Sequence, residues 1–314
     1  MSIDKKFINL FHEVSARAAL ASYYHVGKKD KIAADKAAVD SMRHNLNKIN
    51  MCGQIVIGEG ELDEAPMLYI GENLGTGKGP NLDIAVDPLE GTNFAANNLP
   101  GALSVIAVAE KTNLFNAPET YMDKIAINSN EKGIVDLDYS TKKNIENLSD
   151  YMNKSPSEIT VCLLNRPRHQ KKIEELKTLG VKLKLIEDGD ISGALLVSNN
   201  KHGVDIFMGI GGGPEGVLAA SALDTYECFF QGKFIFENEN EKKRAKKMGI
   251  SDFDKKYELN EIISGDSIFC ATGITSGDLV SGIKLEKNEF FSETLVTHKS
   301  SKLKKILKTK LVIH

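Results

Sequence analysis

Asp83-Ile-Ala-Val-Asp87-Pro88-Leu89-Glu90-Gly91-Thr92 is the segment on which the reading of this chain turns. The apolar run before Asp87 reads as a strand, and Asp87 sits where that strand ends. Pro88 fixes the backbone angle of the following turn. Glu90 comes back toward the side of Asp87, the Leu89 carbonyl is free of any ladder, and Gly91 permits a close approach. Thr92 falls where a helix can begin, with a hydroxyl to orient a water and a backbone N–H to meet an anion. Sheets with helices between their strands bind ligands at the carboxyl ends of those strands.

Two more acidic segments follow strand-like runs. Gly58-Glu59-Gly60-Glu61-Leu62-Asp63-Glu64 comes after an apolar run at 54–57, and Glu215 lies in Gly209-Ile-Gly-Gly-Gly-Pro-Glu-Gly216 after a run at 204–208. Carboxylates brought to neighbouring strand ends repel one another. A divalent cation resolves that conflict, and oxygen-only ligands suit Mg²⁺ or Mn²⁺ rather than zinc. Two such ions ~3.5–4 Å apart can activate a water and stabilise a leaving oxygen. Asp63, expected near Thr92, is placed to accept the hydroxyl proton as a general base. Asp35 adds a further carboxylate, on a helix face otherwise formed by Ile32, Val39, Met42, Leu46 and Ile49. On a packed face a carboxylate is costly unless it is paired or bound to metal.

Around these motifs the periodicity predicts helices over 2–24 and 30–50, strands at 54–57, 83–86 and 103–108, and a helix over 63–73. Residues 113–153 show weak periodicity and read partly as loop. The second half alternates: strand 159–164, helix 168–179, strand 181–186, helix 191–198, strand 204–208, the glycine-rich turn at 209–216, and a helix to about Leu223. Strands near Phe234, Ile268 and Thr294 complete the core. The pattern predicts an α/β (mixed α+β) protein, a layered sheet covered by helices. One compact catalytic unit is expected, with an N-terminal subdomain over 1–157 and a C-terminal α/β subdomain over 158–314. Charged residues 237–247 and the lysine-rich 299–310 read as solvated surface.

With 314 residues, 41% hydrophobic and 26% charged, the chain can bury a sizeable core. A net charge of −3 argues against a nucleic-acid partner. No apolar run reaches the ~18 residues of a membrane span, and the start lacks the apolar region of a signal peptide. Cys52, Cys162, Cys228 and Cys270 form no CxxC pair and read as reduced thiols of a cytoplasmic protein. His12 and His169 read as ordinary surface histidines.

The Asp-Pro-Leu-Glu-Gly-Thr motif is similar to the signature of the lithium-sensitive, metal-dependent sugar phosphatase superfamily. Longer strings resemble the bacterial class II fructose-1,6-bisphosphatases across nearly the whole chain. They are Ala33-Ala-Asp-Lys-Ala-Ala-Val39, Ile55-Val-Ile-Gly-Glu-Gly-Glu61, Asp63-Glu-Ala-Pro-Met-Leu-Tyr-Ile-Gly-Glu72, Asp83–Thr92, Gly209–Val217 and Ala271-Thr-Gly-Ile-Thr275. The resemblance implies a layered α/β/α/β/α sandwich that assembles as a homodimer or homotetramer. It implies that Asp35 and Glu59 hold one cation, and that Asp87, Glu90 and Glu215 hold or share the other. Thr92 then activates the attacking water or itself attacks, aided by Asp63, with Lys31 near the phosphate that is cleaved. Substrate is expected at Glu90, Gly91, Thr92, Tyr121, Arg166, Arg168, Asp188, Asp190 and Gly212. Arginine forks suit a second phosphate, and aspartates suit sugar hydroxyls. Arg166 stands where relatives often carry lysine, and 93–101 and 237–258 depart from the family pattern.

The implied reaction is hydrolysis of the 1-phosphate of fructose 1,6-bisphosphate, in gluconeogenesis. The same chemistry on sedoheptulose 1,7-bisphosphate or an inositol phosphate is the nearest alternative. A non-catalytic sugar-phosphate-binding regulator is the distant one.

Overall fold

The computed structural model describes residues 2–58 and 68–311. Two compact units are present: Met1–Asn116 with Ile263–His314, and Ala117–Ile262. The units do not follow chain order, and residue 157 lies inside the second. The cause is strand pairing: residues 267–273 pair with 103–109, and the later C-terminal strands continue that same sheet.

The first unit begins with α1 (Lys6–Tyr23) and α2 (Lys31–Leu46). Next come β1 (Cys52–Ile57), β2 (Asn73–Leu74), β3 (Asn81–Glu90), α3 (Thr92–Ala96) and β4 (Leu103–Glu110). It is completed by β11 (Ser267–Gly273), β12 (Lys284–Glu286), β13 (Glu289–His298) and β14 (Leu303–Leu311). The sheet runs β12-β13-β11-β4-β3-β1-β2, with β14 on β13. β1 and β3 are parallel, whereas β3–β4, β4–β11 and β11–β13 are antiparallel. The lysines of 299–310 fall largely on β14, where Lys304, Lys305, Lys308 and Lys310 are exposed. Lysines on such a strand discourage pairing with another chain.

Helix α1 covers the sheet with Phe7, Phe11, Val14 and Ala18, all buried. Beneath it the hydroxyls of Ser15, Thr272 and Thr294 form a buried chain of hydrogen bonds at 2.9 and 2.8 Å. Asp30 caps α2 by accepting from the Ala33 N–H. The packed face of α2 is Ala34, Ala38, Val39, Met42 and Leu46. Ile32, expected on that face, is 82% exposed, because the alanines rather than the first turn approach the neighbouring helix and strands. The helix expected over 63–73 begins outside the described residues. Its described end is turn and strand, since Ile55 N–H donates to Glu72 O and Gly71 N–H to Ile55 O.

The second unit contains β5 (Tyr121–Ile127), α4 (Thr141–Met152), β6 (Thr160–Leu164), α5 (Gln170–Thr178) and β7 (Lys182–Ile186). It continues with α6 (Asp190–Leu195), β8 (Ile206–Gly212), α7 (Gly213–Thr225), β9 (Phe229–Ile235), α8 (Glu239–Lys247), β10 (Lys256–Glu258) and α9 (Leu259–Ile262). Its sheet order is β10-β9-β5-β8-β6-β7, parallel at β6–β7 and β6–β8 and antiparallel elsewhere. One sheet face, with Ile125, Ile127, Val161, Leu163 and Ile206, packs on Ile145 and Leu148 of α4 and Ile173 and Leu176 of α5. Alternate residues face the other way, and α6 and α7 cover them.

Residues 113–153, read partly as loop, therefore hold β5 and α4. Helix α4 presents only a short apolar stripe, but Ser140 caps it by accepting from Lys143 N–H at 3.2 Å. The glycine-rich turn expected at 209–216 is instead the end of a strand and the start of a helix. Gly209–Gly212 pair in register with residues 121–124 of β5.

Candidate functional site

In the first unit the site is set by a strand irregularity. Asp87 pairs with Val105 and Glu90 with Leu103, so three steps along β3 match two along β4. The extra residue is a β-bulge around Pro88. Partners two apart on β4 share a face, and the bulge therefore brings Asp87 and Glu90 to one face despite their odd spacing. Glu90 is only 4% exposed, while Asp87 is half-buried. Gly91 then turns with φ +76°, a conformation an L side chain rarely adopts, and α3 starts at Thr92.

Other elements hold this corner. Gly27 and Lys29 N–H groups donate to Ala95 and Ala96 carbonyls, each at 2.9 Å, tying the start of α2 to α3. Lys31 is the first residue of α2 and is exposed. Asp35, one turn on, is half-buried with its Oδ1 out of solvent. After α3, the Thr275 hydroxyl donates to Leu99 O at 2.7 Å and accepts from Ala102 N–H at 2.9 Å. This hydroxyl clamp gives the Ala271–Thr275 motif its local purpose, which spacing alone does not reveal.

Glu59 and Asp63 lie outside the described residues. Among the described residues no group of three or more His, Cys, Asp or Glu side chains is gathered closely enough to hold an ion. The chemistry of Asp35, Asp87 and Glu90 nevertheless fits a hard divalent cation, since every side-chain donor is a carboxylate oxygen. A carboxylate at 4% exposure needs positive charge or donors nearby.

The second unit arranges its acids by removing side chains. A Cβ on Gly211 would lie 2.2 Å from Asp190 Oδ2, and one on Gly212 would lie 1.7 Å from Glu215 Oε2. Both carboxylates thus rest on bare backbone. Glu215 lies in the first turn of α7, and burial raises its pKa. Lys124 opposes that rise, while Asp190 and Asp188 add to it. Asp190 opens α6 after Gly189, which has φ +84°. Its carboxylate pairs with Lys124, a lysine only 1% exposed.

Beside them, Arg168 donates from Nε to Ile210 O at 3.0 Å, and its guanidinium lies 4.8 Å from the Tyr121 ring centroid. This stacking orients the fork while leaving Arg168 exposed. Arg166 Nη2 lies 3.7 Å from Asp188 Oδ1. Tyr121 is the register partner of Gly212. The structure thus draws Tyr121, Arg168, Asp190, Gly212 and Glu215 around the end of β8.

His169, read as a surface residue, is 1% exposed. Its Nδ1 donates to Leu164 O and its Nε2 accepts from Ile210 N–H, both at 2.7 Å. Those two backbone partners define a neutral tautomer, and burial lowers the histidine pKa. Gly209, with φ +138°, leaves room for the ring, because a Cβ there would come 3.0 Å from Nε2. His12 is likewise buried, at 6% exposure, with Thr309 Oγ1 3.2 Å from its Nε2. Neither burial was legible locally, because each histidine is covered by distant strands.

Within the first unit, carboxylates at a strand end just before a helix-starting threonine are groups that suit a phosphoric monoester hydrolase. The family described as "Bacterial fructose-1,6-bisphosphatase, glpX-encoded" matches residues 6–311. The chain is 43% identical over 308 residues to the protein of Prochlorococcus marinus strain MIT 9312 named D-fructose 1,6-bisphosphatase class 2/sedoheptulose 1,7-bisphosphatase. That match covers 94% of this chain and 92% of the relative. The protein of the same name from strain NATL1A is 41% identical over 308 residues, with the same coverage. The chain belongs to the bacterial class II fructose-1,6-bisphosphatase family.

Proposed function

We propose that this chain hydrolyses the 1-phosphate of fructose 1,6-bisphosphate, giving fructose 6-phosphate and inorganic phosphate. The observation that carries the reading is the bulge that sets Asp87 and Glu90 on one face immediately before Gly91 and Thr92. Family membership over residues 6–311 supports it.

Asp35, Glu59, Asp87, Glu90 and Glu215 are the proposed ligands of divalent cations, Mn²⁺ or Mg²⁺. Bound there, such ions lower the pKa of a water and offset charge on the leaving oxygen. The Thr92 hydroxyl accepts from the attacking water and passes its own proton to Asp63. The water oxygen forms the new P–O bond as the bond from phosphorus to the C1 oxygen breaks, and that oxygen takes a proton from solvent. Lys31 offers an ammonium to the phosphate being cleaved. Arg166 and Arg168 bind the phosphate that stays, and Tyr121, Asp188, Asp190 and the Gly212 backbone meet the sugar. Glu90, Gly91 and Thr92 contact the reacting end.

Phosphate release from fructose 1,6-bisphosphate, with and without Mn²⁺ or Mg²⁺ and again with Thr92→Ala, tests this. Cation-dependent release that disappears in the variant supports it, and a fully active variant overturns the role of Thr92. Sedoheptulose 1,7-bisphosphate is the second reading, because the relatives' name carries both sugars. Comparing kcat/KM for the two bisphosphates ranks them. A place in gluconeogenesis in the cytoplasm is proposed with the first substrate, alongside a homodimeric or homotetrameric assembly that light scattering measures. Among the described residues no helix is long and apolar enough to cross a membrane.

A further inference from the structure

Lys124 is the most unusual buried group of the second unit. It lies on β5 between Met122 and Ala126, on the same sheet face, and is 1% exposed. Its stem runs over the first turn of α7, where a Cβ on Gly216 would come 3.2 Å from Lys124 Cδ. Its Nζ donates to Asp190 Oδ2 and, at 2.7 Å, to Gly212 O. One ammonium therefore ties together the middle of β5, the start of α6 and the end of β8. The other carboxylate oxygen, Asp190 Oδ1, is buried and has no hydrogen-bond partner among the described residues.

A buried ion pair is weak evidence for stability, because desolvation consumes much of the Coulombic gain. An apolar residue on this face would serve packing equally well. What an apolar residue cannot do is hold a carboxylate in one rotamer with one oxygen satisfied and the other left for a ligand. We infer that Lys124 is a positioning residue for substrate: it fixes Asp190, so that Oδ1 accepts a sugar hydroxyl, and it fixes the Gly212 backbone beside it. This rests on the sugar-bisphosphate reading above. Lys124 itself touches no reacting atom. Its effect is carried by Asp190 and falls on sugar binding more than on the bond-breaking step.

The test uses the full chain loaded with Mn²⁺, as wild type, Lys124→Met, Asp190→Asn and the double variant. Calorimetry gives the Kd for fructose 6-phosphate, and steady-state assays with fructose 1,6-bisphosphate give KM and kcat. Loss of a charged hydrogen-bond acceptor's alignment weakens binding by about tenfold. Lys124→Met and Asp190→Asn are each expected to raise Kd and KM about tenfold, with kcat within about threefold. The double variant is expected to bind no more weakly than Asp190→Asn, since Lys124 acts through Asp190.

An unchanged Kd in a folded Lys124→Met overturns the inference, as does a double variant whose loss is the product of the single losses. If Lys124→Met does not fold, the double variant, which buries neither charge, decides against Asp190→Asn alone: equal Kd supports the inference and a further loss overturns it. Wild type that neither binds fructose 6-phosphate nor releases phosphate overturns the functional reading and this inference with it. An active wild type with an equally tight-binding Lys124→Met overturns only the role of Lys124.

Discussion

The two units place acidic side chains at strand ends by opposite means. In the first, the backbone gains a residue: the bulge in β3 turns Glu90 to the side of Asp87. In the second, side chains are removed: Gly211 and Gly212 leave bare backbone on which Asp190 and Glu215 lie. The charge is handled differently as well. Asp190 pairs with the buried Lys124, and Asp87 and Glu90 offer carboxylate oxygens of the kind that suits a hard divalent cation. The acid paired with lysine is proposed to serve positioning, and Asp87 and Glu90 cation binding, and the two roles call for different tests.

That contrast breaks most visibly at Thr92. Thr92→Ala is expected to lower kcat/KM by about 10²–10⁴ while cation binding, followed by calorimetry with Mn²⁺, persists. Asp87→Asn should instead weaken cation affinity by at least about tenfold, because a charged ligand is lost. A variant that loses activity but keeps full cation affinity would place Asp87 outside the ligand set.

The glycine side of the comparison is sharpened by Gly212→Ala. The added Cβ would meet Glu215 Oε2 at 1.7 Å, so the carboxylate must move. We expect a cost of about 1–3 kcal/mol in stability, read by denaturant unfolding, together with raised KM. Wild-type values for both would show that β8 has room the structure does not display.

His169 supplies a pH test. Its pKa is lowered by burial, so the folded state holds fewer protons than the unfolded state as pH falls below about 6.5. Stability from the neutral ring is therefore present above that pH and lost as pH falls through it. Protonation also removes the acceptor for Ile210 N–H, beside the carbonyl that holds Arg168. The unfolding midpoint is expected to drop between pH 7 and 5, and His169→Gln to flatten that part of the profile. His12, buried in the first unit, contributes with the same sign.

The smallest effect is expected away from both sites. Glu293 accepts from Lys308 at 2.7 Å and from Ser281 N–H at 3.0 Å, and its pKa falls to about 2. Its contribution is present above the ordinary carboxylate pKa near 4.5 and is lost as pH falls toward 2. Lys308 is 77% exposed, so solvent screens the pair. Glu293→Gln should cost about 1 kcal/mol at pH 7 and leave kcat/KM unchanged.

Local sequence determined much of this molecule. The alternation of short apolar runs with helical stretches announced a mixed α/β protein, and Asp-Pro-Leu-Glu-Gly-Thr announced a strand, a turn and a helix start, because proline, glycine and caps act on the backbone within a few residues. The family was legible for the same reason: its motifs are contiguous. Tertiary structure decided what depends on partners far along the chain. Only pairing with β4 showed that β3 carries an extra residue, and only pairing with β5 turned a glycine-rich loop into strand. The return of β11–β14 to the first sheet, and the burial of His12, His169 and Lys124, required strands and helices tens of residues away. A lysine between Met122 and Ala126 was the one trace of its buried pair in the sequence, and periodicity alone cannot name its partner, which only folding brings within reach.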